Sequence, residues 1–143
     1  MRLRPSPSLV VAGAALFVAL GGSAFAVSQA AQPRCAPGAV RGIVAVVGPP
    51  GAGLGNIPDK FSSNRALFAN RFNCAGGAPQ VRRVNVGEYE IRFPRNGAQA
   101  GLASAGVGYL VAVSTVSTGV FRVAIYTAGH DDKAEVPFSL VAV

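Results

Sequence analysis

Q-V-R-R-V-N-V-G-E-Y-E-I-R-F-P, residues 80–94, is the stretch from which an architecture can be built. From Glu88 onward Tyr89, Ile91 and Phe93 fall on one side and Glu88, Glu90 and Arg92 on the other. That period of two predicts a half-buried β-strand. Val86-Gly87 separates it from the preceding valine and arginine run, so the two pair as a hairpin around a tight reversal. Its apolar face then needs more β-structure to cover it.

The neighbouring segments supply that cover. Residues 101–105 read as a weak strand flanked by glycine. Residues 109–116 are β-branched and apolar, Ser117-Thr118-Gly119 turns the chain, and in residues 120–127 Phe121, Val123 and Ile125 alternate with Arg122, Ala124 and Tyr126. After a polar turn at 128–133, residues 136–143 form a last strand. Upstream, the valine run at 40–47 predicts a buried strand that ends in a flexible surface loop, G-P-P-G-A-G-L-G, residues 48–55. Residues 59–64 read as a turn and 65–73 as a strand, although Phe61, Phe68 and Phe72 also fit one helical face. The expected class is all-β, a two-layer sandwich-like domain over residues 35–143.

Residues 1–26 carry an export signal: basic Arg2 and Arg4, an uncharged apolar run from Leu9 to Leu20, and the small-x-small phrase Ser23-Ala24-Phe25-Ala26. Cleavage is expected between Ala26 and Val27, leaving 27–34 as a short linker. An uncleaved membrane anchor is the alternative, because residues 9–27 approach the ~20 residues that span a bilayer. Gly13, Gly21 and Gly22 weaken such a helix and favour cleavage. Export places the two cysteines, Cys35 and Cys74, where thiols oxidise, and they admit one intrachain disulfide.

Half the residues are hydrophobic and 13% are charged, which argues against disorder for the bulk of the chain. Of 13 basic residues, removing Arg2 and Arg4 leaves 11 against 6 acids, a surplus of five positive charges, and nine of those 11 are arginine. Such a field favours anionic partners. Arg82, Arg83, Arg92 and Arg95 form the candidate anion-binding patch, because the planar guanidinium suits bidentate contact with carboxylate or phosphate. A solvated strand face with Glu88 and Glu90 paired to arginines across the hairpin is the simpler reading.

Enzyme chemistry finds little support. The glycine loop at 48–55 lacks the Lys-Ser or Lys-Thr of a phosphate loop, and Ile57-Pro58 opens no helix. The single histidine, His130, lies in a polar turn, and Ser104 stands in G-L-A-S-A-G, where Leu102 occupies the glycine position of a nucleophile elbow. Zinc needs three or four ligands, and Asp131, Asp132 and Glu135 lack the alternate spacing of a calcium loop. No catalytic residue, metal ligand or cofactor is assigned. Sheet-type nucleic-acid binders need aromatics among their basic residues, and the hairpin's Tyr89 and Phe93 lie on the face opposite its arginines, so no nucleic-acid partner is expected.

Five pieces, F-N-C-A-G-G at 72–77, V-R-R-V at 81–84, G-E-Y-E-I-R-F-P at 87–94, V-F-R-V at 120–123 and P-F-S-L-V-A-V at 137–143, resemble small exported β-rich proteins of actinobacteria. The leader phrase L-F-V-A-L-G-G-S-A-F-A is similar to theirs as well. The resemblance implies a secreted β module and brings no established activity. Those proteins often hold further cysteines after the Y-x-I/V-x-F strand and at the C-terminus, and this chain has neither. The expectation is a non-enzymatic secreted or envelope-associated module of structural or adhesion type, meeting an anionic envelope polymer or protein. Its rivals are a hydrolase with an unrecognised site and a membrane-tethered module, the membrane being a partner only if the leader stays.

Overall fold

A computed structural model describes residues 35–36 and 38–143. The leader at 1–26, its Ala26/Val27 cleavage point and the 27–34 linker lie outside the described residues. Among the described residues eight strands follow in order: β1 (Gly42–Val46), β2 (Phe68–Asn73), β3 (Gln80–Asn85), β4 (Glu88–Arg92), β5 (Gly101–Ala105), β6 (Tyr109–Ser117), β7 (Val120–Thr127) and β8 (Phe138–Ala142). They form two four-stranded sheets, β2-β1-β8-β5 and β3-β4-β7-β6, with every neighbouring pair antiparallel. The sheets pack face to face, so the described residues form an all-β sandwich.

Alternation does the sorting. On β1 and β8 the inward residues are Val44, Val46, Phe138, Leu140 and Ala142; on β3, β4 and β7 they are Val81, Tyr89, Ile91, Phe121, Val123 and Ile125, all buried in one cluster. Phe138 meets Tyr89 with ring centroids 5.4 Å apart, and Phe93 meets Phe121 edge-on at 6.2 Å, so each aromatic pair contributes beyond its buried area. Each such fully buried side chain stabilises the fold by roughly 1.5–3 kcal/mol.

The hairpin forms as its spacing requires. Gly87 turns with φ 63°, a left-handed conformation, and a Cβ there would lie 2.8 Å from Lys133 Cβ and 2.9 Å from the Ala134 carbonyl oxygen. The hairpin's outer edge is covered by residues 58–62: Ser62 N–H donates to the Val81 carbonyl and Val81 N–H to that of Ser62, both at 2.9 Å, while Arg83 N–H donates to the Pro58 carbonyl at 2.8 Å.

Two segments differ from their sequence reading. Residues Arg65–Leu67 form a 3-10 turn, started by Asn64 accepting from Ala66 N–H, and the strand begins only at Phe68. Local side-chain capping thus wins over the alternation that suggested a strand from Arg65. The glycine loop is not wholly on the surface either. It contains a 3-10 turn at Leu54–Asn56, and Leu54 and Ile57 are 1% and 4% exposed, which pins it to the core.

Cys35 and Cys74 are bonded, with Cα atoms 5.2 Å apart and 39 positions between them in sequence. Closing that loop adds roughly 4 kcal/mol in the chain-entropy account. Beside the bond lies a polar node. The Asn96 Nδ2 donates to the Arg41 carbonyl and to Asn73 Oδ1, both at 2.7 Å, and Asn96 Oδ1 accepts from Ala98 N–H at 3.1 Å. Asn73 Nδ2 donates in turn to the Pro94 and Gly76 carbonyls at 2.9 Å. The node ties the end of β2 to the crossover that leaves the second sheet for β5.

Candidate functional site

Alternation on the second sheet sends Arg82, Glu88, Glu90, Arg92 and Arg122 to the outer face and leaves Arg83 on the other. Register places Arg82 on β3 opposite Glu90 on β4, and Glu90 opposite Arg122 on β7, so three charges stand in a row across three strands. Arg82 donates through Nε at 2.8 Å and Nη2 at 2.6 Å to Glu90 Oε2; Arg122 donates through Nε at 3.2 Å and Nη2 at 2.6 Å to Oε1. One carboxylate is therefore shared by two guanidiniums.

Glu90 is 2% exposed, while the side chains of Arg82 and Arg122 are 38% and 44% exposed. The carboxylate lies beneath its two arginines rather than in the apolar core. Burial pushes its pKa up, but the hydrogen bonds and charges of Arg122 and Arg82 outweigh that and hold it below the ordinary carboxylate range. The expected pairing of Glu90 across the hairpin is present, with a second arginine from β7 added. Glu88 differs: it pairs with Lys133 instead of an arginine, and that hydrogen bond holds its carboxyl below the usual range.

A second contact joins this row. The Arg92 guanidinium carbon sits 3.7 Å from the centroid of the Phe61 ring, and that of Arg82 sits 4.8 Å from it. Both distances are within the reach of cation–π attraction. Among the described residues Arg92 has no carboxylate within ion-pair distance. The face thus carries Arg82, Arg92 and Arg122 with Glu90 shared between two of them and Glu88 taken up by Lys133, and two of the guanidiniums are held on one ring. Phe61 reaches it because Ser62 pairs with Val81, a contact between segments 19 positions apart.

The four arginines singled out in the sequence do not share one place. Arg82 and Arg92 converge on Phe61. Arg83 stands on the other face of β3, where its Nε donates to Glu135 Oε1 at 2.7 Å. Arg95 sits in a left-handed turn, φ 56°, beside Gly77. Arg122 and Phe61, which the sequence reading did not assign, complete the face. The position of Arg122 in the alternation of β7 could have found it, once β7 was paired with β4. No local pattern marks Phe61.

The remaining candidates stand apart. His130 is exposed in its turn, with its backbone N–H donating to the Thr127 carbonyl, and Ser104 is exposed on β5. Among the described residues no three His, Cys, Asp or Glu side chains gather as metal ligands would. A groove of about 300 Å³ over Ala45, Ser104, Phe138 and Ser139 is lined without any titratable side chain. A second, of about 250 Å³, is lined by Phe68, Ala69 and Asn70 with Arg65 and Arg71. The disulfide fits an extracellular location, and among the described residues no helix is long and apolar enough to cross a membrane.

No family model matches this chain, and neither a curated protein nor a solved structure matches it.

Proposed function

We propose that the chain is a non-enzymatic, exported binding module that meets an anionic polymer or protein of the cell envelope through the outer face of its second sheet. The observation that carries the reading is Arg92, laid on Phe61 at 3.7 Å with no acidic partner among the described residues, beside Arg82 and Arg122 with one carboxylate between them. A guanidinium held in place loses less freedom when it takes a carboxylate or phosphate, and the surplus charge draws such groups in. The Phe61 ring is occupied by arginines rather than open for base stacking, which supports a non-nucleic-acid partner.

Export rests on the basic, apolar and small-residue phases of residues 1–26 and agrees with the disulfide. Kinship with small exported actinobacterial proteins is part of the same proposal. N-terminal sequencing of the exported chain decides between the free and the tethered form: a start at Val27 leaves no anchor.

The binding test is calorimetric titration of the purified chain with polyphosphate and with polyglutamate. Binding that weakens with added salt is expected, and Arg82/Arg92/Arg122→Ala abolishes it. Equal affinity of the wild type and that triple variant removes the face from consideration.

A further inference from the structure

We propose that β6 is a self-association edge, on which two copies of this chain pair antiparallel about a two-fold axis at Ala112. β6 is the longest strand, nine residues, Y-L-V-A-V-S-T-V-S, with neither a charge nor a proline in it. Among the described residues it pairs with β7 alone and no other backbone–backbone hydrogen bond involves 109–117; the one further bond is Thr115 Oγ1 donating to the Gln99 carbonyl at 2.9 Å. Its outer edge therefore presents unpaired N–H and C=O groups, the arrangement that templates a further strand.

The other edges are managed. Residues 58–62 cover β3, Arg71 puts a charge on β2, and β5 has five residues beginning with a glycine. β6 also leaves apolar surface uncovered. Tyr109, Val111 and Val113, which face the core side, are half-buried, whereas Phe121, Val123 and Ile125 on adjoining β7 are fully buried. Leu110 on the outer face is 60% exposed.

A second copy is the occupant that these residues fit. Without the leader the chain carries a surplus of five positive charges, so two copies repel wherever basic faces meet, and β6 is a stretch that they can bring together without like-charge contact. The register to β7 is regular from Tyr109 to Thr115 and shifts between Thr115 and Ser117. The midpoint of that regular run is Ala112. Pairing about it sets Val111 against the second copy's Val113 on the core side, Tyr109 against Thr115, and Leu110 against Ser114 on the outer side, with no charged or oversized pair in the set. The interface is isologous and closes at two copies, joining two four-stranded sheets into one. Both arginine faces then lie on the same side of the joined sheet, so a polymer long enough to span them is held at two points.

The test is sedimentation equilibrium on the purified chain and on Ala112→Lys and Ala112→Glu. Ala112 is exposed, and far-UV circular dichroism checks that each variant keeps the wild-type fold. A concentration-dependent dimer is expected for the wild type. Each variant alone sets like charges on the axis and weakens self-association by about fivefold, while an equimolar mixture of the two recovers a dimer through opposite charges. A wild type that stays monomeric to about 0.5 mM overturns the proposal, since specific association weaker than that lies outside ordinary affinities. So does a mixture no more associated than its components, or a pair of variants that dimerise like the wild type.

Discussion

Glu90→Gln is the substitution that reads the arginine row most directly. The amide keeps the shape of the side chain and one oxygen, which still accepts from one guanidinium, but its NH₂ end meets the other donor against donor. A hydrogen bond to a charged group is worth roughly 1.5–3 kcal/mol. Arg82 and Arg122 are each more than a third exposed, so a freed guanidinium regains water and the net loss falls to about 1 kcal/mol. In a domain of this size that lowers Tm by about 4 °C.

The same change has a pH signature. The Glu90 carboxyl titrates below its ordinary range in the folded chain, so its contribution is complete above the unfolded value, about 4.3, and is lost as pH falls through the folded one. Thermal melts followed by circular dichroism at about pH 7 and about pH 2 measure it: the gap between wild type and Glu90→Gln is present at neutral pH and closes in acid. Equal melting temperatures at neutral pH, or a gap of unchanged size in acid, refute the reasoning.

Three other substitutions probe the scaffold. A Cβ at Gly42 would collide with the buried Phe93 ring, so Gly42→Ala is expected to destabilise by about 1–3 kcal/mol in urea unfolding. Asn96→Ala strips the Ala98 N–H of its partner and takes one donor each from Asn73 and from the Arg41 carbonyl, which keeps the Cys74 N–H, for a loss of about 1–3 kcal/mol in the same assay. The buried Tyr89 hydroxyl lies near Arg83 and Glu135 without a well-aligned hydrogen bond, and burial, helped by the Glu135 charge, pushes its pKa up to about 12. Tyr89→Phe is therefore expected to leave stability unchanged or raise it by up to about 1 kcal/mol, and to remove the latest-titrating phenol from an alkaline absorbance titration.

Most of the sandwich is legible in the sequence because strand pairing here leaves a local trace. Alternation over 88–93 and 120–127 marks the buried faces, and 101–105 and 109–117 are bounded by turns that fix their ends. The single disulfide is legible because two cysteines allow one pairing. What the sequence does not carry is long-range register. Arg82 and Glu90 meet through a hairpin and can be paired by counting, but Arg122 arrives from 32 positions away and Phe61 through the Ser62–Val81 bridge. Arg83 leaves the expected patch for an equally plain reason, since it is adjacent to Arg82 on a strand and must face the other way. The Arg65–Leu67 turn escaped because Asn64 capping competes with alternation over only three residues.

The proposed anion site is the outer face of the second sheet. Backbone and arginine Nε–H resonances of the isotopically labelled chain, followed by NMR while polyphosphate is added, locate it residue by residue. The shifts are expected on Arg82, Arg92, Arg122 and the Phe61 segment, and to reverse with salt. Shifts confined to other residues, such as Arg65 and Arg71 at the edge of the first sheet, or no shifts at saturating polymer, contradict it.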